Sequence, residues 1–434
     1  MGMQTVRWNE LEPQAREALL QRPAVADDAG IRKDTASIVA EVRETGDAAL
    51  RALTTRLDRA TVTNFKVSDA ELAAADDALS AAQVQAIDVA IANVRRFHEA
   101  QMPSAIRVET APGVVCEKLS HALDAVGLYV PAGTAPLPSA AVMLAVPAAI
   151  AGCPTRVLCT PPRPDGSADP AVLVAASRAG VRDIYKVGGA QAIAAMAYGT
   201  ETIPRVSKIF GPGNAWVTCA KSLVSADAAG AAIDMPAGPS EVLVIADATA
   251  SPEFVAADLL SQAEHGVDSQ VVLVTTDASM ASAVANEVDA QLAQLSRAEI
   301  AAGALEHSRI IIVDSLQTAV LVSNEYAPEH LILQVDNPRS LLPGLRNAGS
   351  VFVGPWTPEA VGDYCSGTNH VLPTYGFARN YSGLGLDQFM RQMTVQELTR
   401  DGLAGLGPTV TTLAAMEGLD AHAAAVTRRL RDDA

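Results

Sequence analysis

Aromatic side chains are scarce in this 434-residue chain, only 4% of the total, so its cores must be built from small aliphatics and alanine. Basic residues are also in deficit. Lys and Arg number 32 against 49 Asp and Glu, giving a net charge of −17, and no basic run occurs. That balance argues against a nucleic-acid partner, because phosphate binding needs clustered cations. No apolar stretch reaches the roughly 18 residues of a membrane helix. The longest candidate, residues 140–152, is short and contains Pro147. The first residues carry Arg7, Glu10 and Glu12 with no apolar segment, so no secretory signal is expected and a cytoplasmic location is. Cys116, Cys153, Cys159, Cys219 and Cys365 are odd in number and form no CxxC. They fit reduced, mostly buried thiols rather than a disulfide framework or a cysteine zinc site.

What the chain has is apolar material arranged in short runs: 49% of residues are hydrophobic and 19% charged. Residues 1–26 read as a polar, helix-compatible arm. Residues 31–57 place Ile38, Val39, Val42, Leu50 and Leu53 at helical spacing. Ser68 followed by Glu71 forms a capping-box signature, and residues 81–101 read as a long amphipathic helix. Near Ala122 the character changes. Strand-like runs at 126–130, 156–159, 183–187 and 207–210 alternate with alanine-rich helical patterns. A second series follows, with strands at 240–245, 270–275, 308–313 and 350–353, and helices at 252–265, 278–295, 316–326 and 339–347. Such alternation implies parallel sheets covered on both faces. Beyond Pro373 the chain turns glycine-rich, and residues 395–403 and 410–431 read as a helical appendage.

The chemistry-bearing residues gather around the stretch 329–370. Glu329 and His330 stand at the mouth of the apolar run Leu331-Ile332-Leu333, a carboxylate and an imidazole suited to acid–base work near neutral pH. Asp363 and His370 lie in a loop rich in Gly, Ser, Thr and Asn. Upstream, Gln262 and His265 share one helical face; alone, His265 reads more readily as a cap on the helix end before Gly266. His422 lies in the last helical pattern. Two histidines, an aspartate and an amide are enough to close around one divalent ion. Three loops, around Gly133, Gly188-Gly189 and Gly211-Pro212-Gly213, follow strands of the first series. They describe the crevice where open α/β sheets bind ligands, although each taken singly is also a plain strand–helix turn.

Taken in order, several blocks closely resemble histidinol dehydrogenases: Gly127-Leu-Tyr-Val-Pro131, Val187-Gly-Gly-Ala-Gln-Ala-Ile193, Lys208-Ile-Phe-Gly-Pro-Gly-Asn214, Asp234-Met-Pro-Ala-Gly-Pro-Ser-Glu241, Asp258-Leu-Leu-Ser-Gln-Ala-Glu-His-Gly266, Asn324-Glu-Tyr-Ala-Pro-Glu-His-Leu331 and Val361-Gly-Asp-Tyr-Cys-Ser-Gly-Thr-Asn-His-Val-Leu-Pro373. Trp216, Cys365 and Ala132 depart from the usual Tyr, Ala and Gly of that family. The resemblance implies oxidation of L-histidinol to L-histidine, through a bound aldehyde, with two NAD and one water. It implies a zinc ion on Gln262, His265, Asp363 and His422. Substrate contacts would come from Ser240, Gln262, His265, His330, Asp363, His370, Glu417 and His422, and NAD contacts from Tyr129, Gln191 and Asn214. Glu329 and His330 would be catalytic. Glu417 and His422 would reach the other subunit's site in a homodimer. The expected architecture is α/β: two incomplete Rossmann-like parallel-sheet domains facing a cleft. Residues 27–122 and 238–378 would form the zinc and substrate domain, 123–237 the NAD domain, 1–26 the arm and 379–434 the dimer-swapped appendage. A related dehydrogenase for another primary alcohol, a zinc hydrolase using Glu329 and a non-catalytic binding protein are the rival readings. The glycine loops weigh against the hydrolase.

Overall fold

The structure is a computed structural model that describes residues 2–23, 29–132, 135–236 and 238–431. Fourteen strands run through these residues: β1 (Gln4–Arg7), β2 (Ile106–Ala111), β3 (Val114–Ala122), β4 (Ala125–Tyr129), β5 (Thr155–Thr160), β6 (Asp183–Lys186), β7 (Lys208–Phe210), β8 (Ala232–Ile233), β9 (Glu241–Ala246), β10 (Gln270–Thr275), β11 (Arg309–Ile312), β12 (His330–Gln334), β13 (Ser350–Val353) and β14 (Met390–Leu398). A small parallel sheet has the order β6-β5-β4-β7-β8, and a large parallel sheet the order β1-β11-β10-β9-β12-β13. Strands β9, β10 and β12 are buried at every position, as helices on both faces require.

The two sheets share one winding logic. In the small sheet the chain steps outward from β4 through β5 to β6, then returns as β7 on the other side of β4. In the large sheet it steps from β9 through β10 to β11 and returns as β12 beside β9. Each sheet therefore has a switch point, the usual location of a ligand crevice.

Several expectations are corrected. The presumed N-terminal arm is part of the large sheet: β1 pairs in parallel with β11, and Met3, Trp8 and Leu20 are buried. Gln4-Thr5-Val6-Arg7 carries only one apolar residue, so an edge strand held by backbone pairing left no pattern to read. Residues 29–99, expected beside the large sheet, pack with the small one. Helices Ala29–Thr45 and Asp47–Leu53 bury Ile38, Val42 and Leu50 with Tyr129, Val157 and Ile193. Helix Ala81–Glu99 packs Val94 with Leu128 and Leu144. All of these belong with the small sheet; an amphipathic stripe shows that a helix is covered, not by which sheet. Residues 395–398 are strand, because β14 pairs with β3 along its full length and a β2-β3-β14 antiparallel sheet results. The expected helix at 339–347 is a 3-10 segment, Pro338–Gly344, interrupted by Pro343.

The capping box of Ser68 with Glu71 forms as read, and a second, Ser80 with Gln83, opens helix Ala81–Glu99. Helices Arg400–Met416 and Asp420–Arg429 form a separate C-terminal unit with Leu413 and Met416 exposed. Among the described residues, no helix is long and apolar enough to cross a membrane.

Candidate active site

A cleft of about 730 Å³ lies between the carboxyl end of the small sheet and the amino end of the large one. One wall is Gly211, Pro212, Gly213 and Asn214; the other includes Ser240, His265, Glu329 and His370.

The glycine wall is held from both sides. Gly211 has φ +121°, and a Cβ there would collide with the Tyr129 carbonyl, so only glycine fits. Asn214 caps helix Ala215–Ala226, its Oδ1 accepting from Val217 N at 3.1 Å. Lys221, buried beneath, donates to Gly211 O at 2.8 Å and pairs with Asp234. Asp234 in turn accepts from Gly211 N at 2.8 Å. Tyr129 and Gln191 sit at the same end of the sheet but are buried and do not line the cleft. The Tyr129 hydroxyl accepts from Gly189 N at 3.0 Å, and burial pushes its pKa above the usual range. Gln191 donates to Asp58 at 3.1 Å, while its Oε1 has no partner. Burial raises Asp58 to about 6, against the pull of that hydrogen bond. The loop at Gly133 lies outside the described residues.

On the facing wall one residue organises the acid and the base. Glu241 opens β9, Glu329 precedes β12, and His330 is the first residue of β12, in register with Val242. Glu241 N donates to Glu329 Oε2 at 3.0 Å, and Glu241 O lies 3.2 Å from His330 Nδ1. Glu329 N donates to Glu241 Oε1 at 3.2 Å. His330 Nδ1 is 3.6 Å from Glu329 Oε2 and 4.0 Å from Glu359 Oε1. Its Nε2 stands 3.6 Å from Asp363 Oδ1, an ion contact too long for a hydrogen bond, and is otherwise unpartnered.

Charge follows from burial. Desolvation lifts Glu329 to about 8 and Glu359 to about 8, although His330 pulls both down. Burial opposes a charge on His330, but Glu359, Glu329 and Asp363 outweigh it and raise its pKa well above the ordinary value. Asp363 is pushed up by burial and brought back below the usual carboxylate range by His330. His265 and His370 are held neutral, chiefly by burial. His265 is open to cleft water, yet it is crowded enough by protein that its charged form is disfavoured.

Helix Glu359–Tyr364 places Glu359 and Asp363 one turn apart, on one face. The loop after it is tied to the small-sheet side. Asn93 donates to Cys365 O at 2.9 Å and Asn369 to Met143 O at 2.7 Å. His370 Nδ1 lies 2.9 Å from Asp363 O, which leaves its Nε2 for the cleft. Gln262 is buried at the end of helix Pro252–Ala263. With its amide nitrogen toward Glu359, at 2.7 and 3.2 Å, its oxygen accepts from His265 Nδ1 at 3.2 Å. That orientation leaves His265 Nε2 as a free lone pair, the form that binds metal.

Among the described residues, the ligand atoms of His330, Glu359 and Asp363 lie within 4.8 Å of one another. The structure thus gathers Ser240, Gln262, His265, Glu329, His330, Asp363 and His370 into one region, with Asn214 across the cleft. Glu417 and His422 are exposed on the C-terminal unit and do not line it. Sequence reasoning missed Glu241, Glu359, Lys221 and Asp234. Glu241 had a signal, since it opens an apolar run as Glu329 does. Glu359 also had one, its four-residue offset from Asp363. For Lys221 and Asp234 no local pattern exists.

A sequence model of the histidinol dehydrogenase family matches residues 20–430. The histidinol dehydrogenase of Vibrio parahaemolyticus is 56% identical over 99% of this chain and 98% of its own length. That of Xanthomonas campestris pv. campestris is 57% identical over 99% of each. The crystal structure of histidinol dehydrogenase from Elizabethkingia anophelis superposes with a TM-score of 0.95 at 46% identity, covering 99% of this chain and 98% of that one.

Proposed function

The chain belongs to the histidinol dehydrogenase family, and on that premise we propose that it converts L-histidinol to L-histidine by two NAD-dependent oxidations at one site. In the first, a base takes the alcohol's hydroxyl proton as hydride passes from carbon to NAD, giving an aldehyde. Water then adds to the aldehyde. The hydrate loses a second hydride to a second NAD and a proton to the base, leaving the carboxylic acid.

His330 is the candidate for the alcohol proton and Glu329 for the water. A carboxyl group lifted to about 8 by burial is a stronger base than an exposed one, and a base titrating near ambient pH transfers protons most effectively. Ser240 and His370 line the same wall and would hold the substrate. Tyr129, Gln191 and Asn214 would serve NAD at the carboxyl ends of the small sheet.

The donor set fits a metal: Gln262 offers a neutral amide oxygen, His265 a neutral imidazole with a free nitrogen, and Asp363 a carboxylate. His422 would complete that set from a second copy, with Glu417 contributing to substrate binding, which makes a homodimer the working enzyme. Exposed Leu413 and Met416 near these residues are consistent with a covered face. Zinc bound there would orient the substrate's amino and imidazole nitrogens and neutralise the Asp363 charge, which together with Glu359 and Glu329 raises the His330 pKa. The cytoplasm is the proposed compartment.

The observation that carries this reading is the Glu241 backbone holding both Glu329 and His330 at a cleft whose far wall is the glycine loop. The test is NADH formation from L-histidinol, alongside elemental analysis of H265N. That variant should retain less than one-tenth of the parent's bound metal and turnover. A metal-free H265N protein with full activity would remove the metal from the proposal.

A further inference from the structure

One buried charge has no part in the scheme so far. Arg22 follows helix Pro13–Leu19, outside the cleft, and its side chain is only 9% exposed. Its Nε donates to Glu241 Oε2 at 2.5 Å and its Nη2 to Glu241 Oε1 at 2.8 Å, a bidentate pair. Nη2 also reaches the Tyr326 carbonyl at 2.7 Å and the Ala327 carbonyl at 3.3 Å. The guanidinium lies 4.0 Å above the Tyr326 ring, and the neighbouring Pro23 carbonyl accepts from the Tyr375 hydroxyl at 2.7 Å.

These contacts fall on the two pieces of backbone that carry the acid–base pair. Glu241 holds the Glu329 carboxylate through its N–H and the His330 ring through its carbonyl. Tyr326 and Ala327 form the turn that enters Pro328-Glu329, and Ala327 is held at φ +55°, a left-handed conformation that costs a residue with a Cβ. A single guanidinium therefore ties the start of β9 to the turn before β12. Lysine cannot do this, because its ammonium lacks the planar fork that meets both carboxylate oxygens at once. Without Arg22, the Glu241 carboxylate would be a buried charge without its counter-ion and would turn away or take up a proton.

We infer that Arg22 is a positioning residue that sets the orientation of Glu329 and His330 from the N-terminal segment. The inference rests on the function proposed above. Its test compares the parent, R22Q and R22K in NADH formation from L-histidinol and from its aldehyde. R22Q should lose tenfold or more in kcat from both, with KM for NAD within about twofold of the parent, because the glycine wall is untouched. R22K should recover part of the loss. An R22Q enzyme with the parent's kcat overturns the inference. So does a loss shared equally by kcat and KM for NAD, the mark of a generally loosened fold. If R22Q does not fold, R22K decides: a lowered kcat at unchanged KM for NAD supports the inference and a parent-like kcat overturns it. A parent enzyme inactive toward L-histidinol would instead sink the functional reading on which this rests.

Discussion

Asp258 shows how one buried carboxyl group couples the core to pH. It sits four residues before Gln262 on helix Pro252–Ala263, bonded to Gln334 at 3.3 Å, and burial raises it from 3.8 to about 6. The folded protein therefore holds this proton more tightly than the unfolded chain. The stabilisation is full below about pH 4 and is lost as pH rises through about 6, a swing of about 3 kcal/mol. D258N lacks the titration. In urea unfolding of metal-stripped protein, the stability difference between D258N and the parent should shift toward the variant from pH 4 to pH 7. A difference that stays flat contradicts the assignment. Residues at this scale were partly legible in the sequence. Glu329 and His330 announced themselves at the mouth of an apolar run, Gln262 and His265 on a shared helical face, and Asp363 in a polar, glycine-bearing stretch. Lys221, Asp234 and Arg22 did not, because their partners are distant in sequence and only the folded backbone brings them together.

At the scale of elements, the glycine wall depends on a buried ion pair rather than on the glycines alone. Asp234 and Lys221 grip the N–H and carbonyl of Gly211 from opposite sides. Removing one member of a buried pair leaves the other uncompensated and costs about 3–5 kcal/mol. D234N should therefore raise KM for NAD roughly tenfold or more, with a smaller change in kcat at saturating cofactor. Steady-state kinetics check this, and an unchanged KM would show that the loop holds its shape unaided. The strands and helices of both parallel sheets were legible because their apolar runs are short and regularly spaced. The edge strand β1 and the long strand β14 were not, since both are held by main-chain pairing and carry mixed polar sequence. Helices 29–99 were recognised as helices but assigned to the wrong sheet, because an apolar stripe does not specify its partner.

For the whole molecule, the proposed ligand set is informative because one of its members stands apart. Gln262 touches His265, and Asp363 is near enough to influence the His265 charge, while His422 is exposed on a C-terminal unit with apolar residues uncovered. If His422 acts in the other subunit's site, two inactive variants should rescue one another. Mixing H265N with H422N and allowing subunits to exchange forms heterodimers with one intact site, so about a quarter of the parent's activity should return. No recovery, with exchange verified by mass, would place His422 in its own subunit's site or outside any site. The double oxidation itself is tested most directly by counting NADH formed per L-histidinol consumed, for the parent and for E329Q. The parent should give two with no aldehyde released, and E329Q should fall toward one while aldehyde accumulates and can be trapped. A parent yield of one, or an E329Q enzyme that still yields two at the parent's rate, would contradict the assignment of both oxidations to one site served by Glu329.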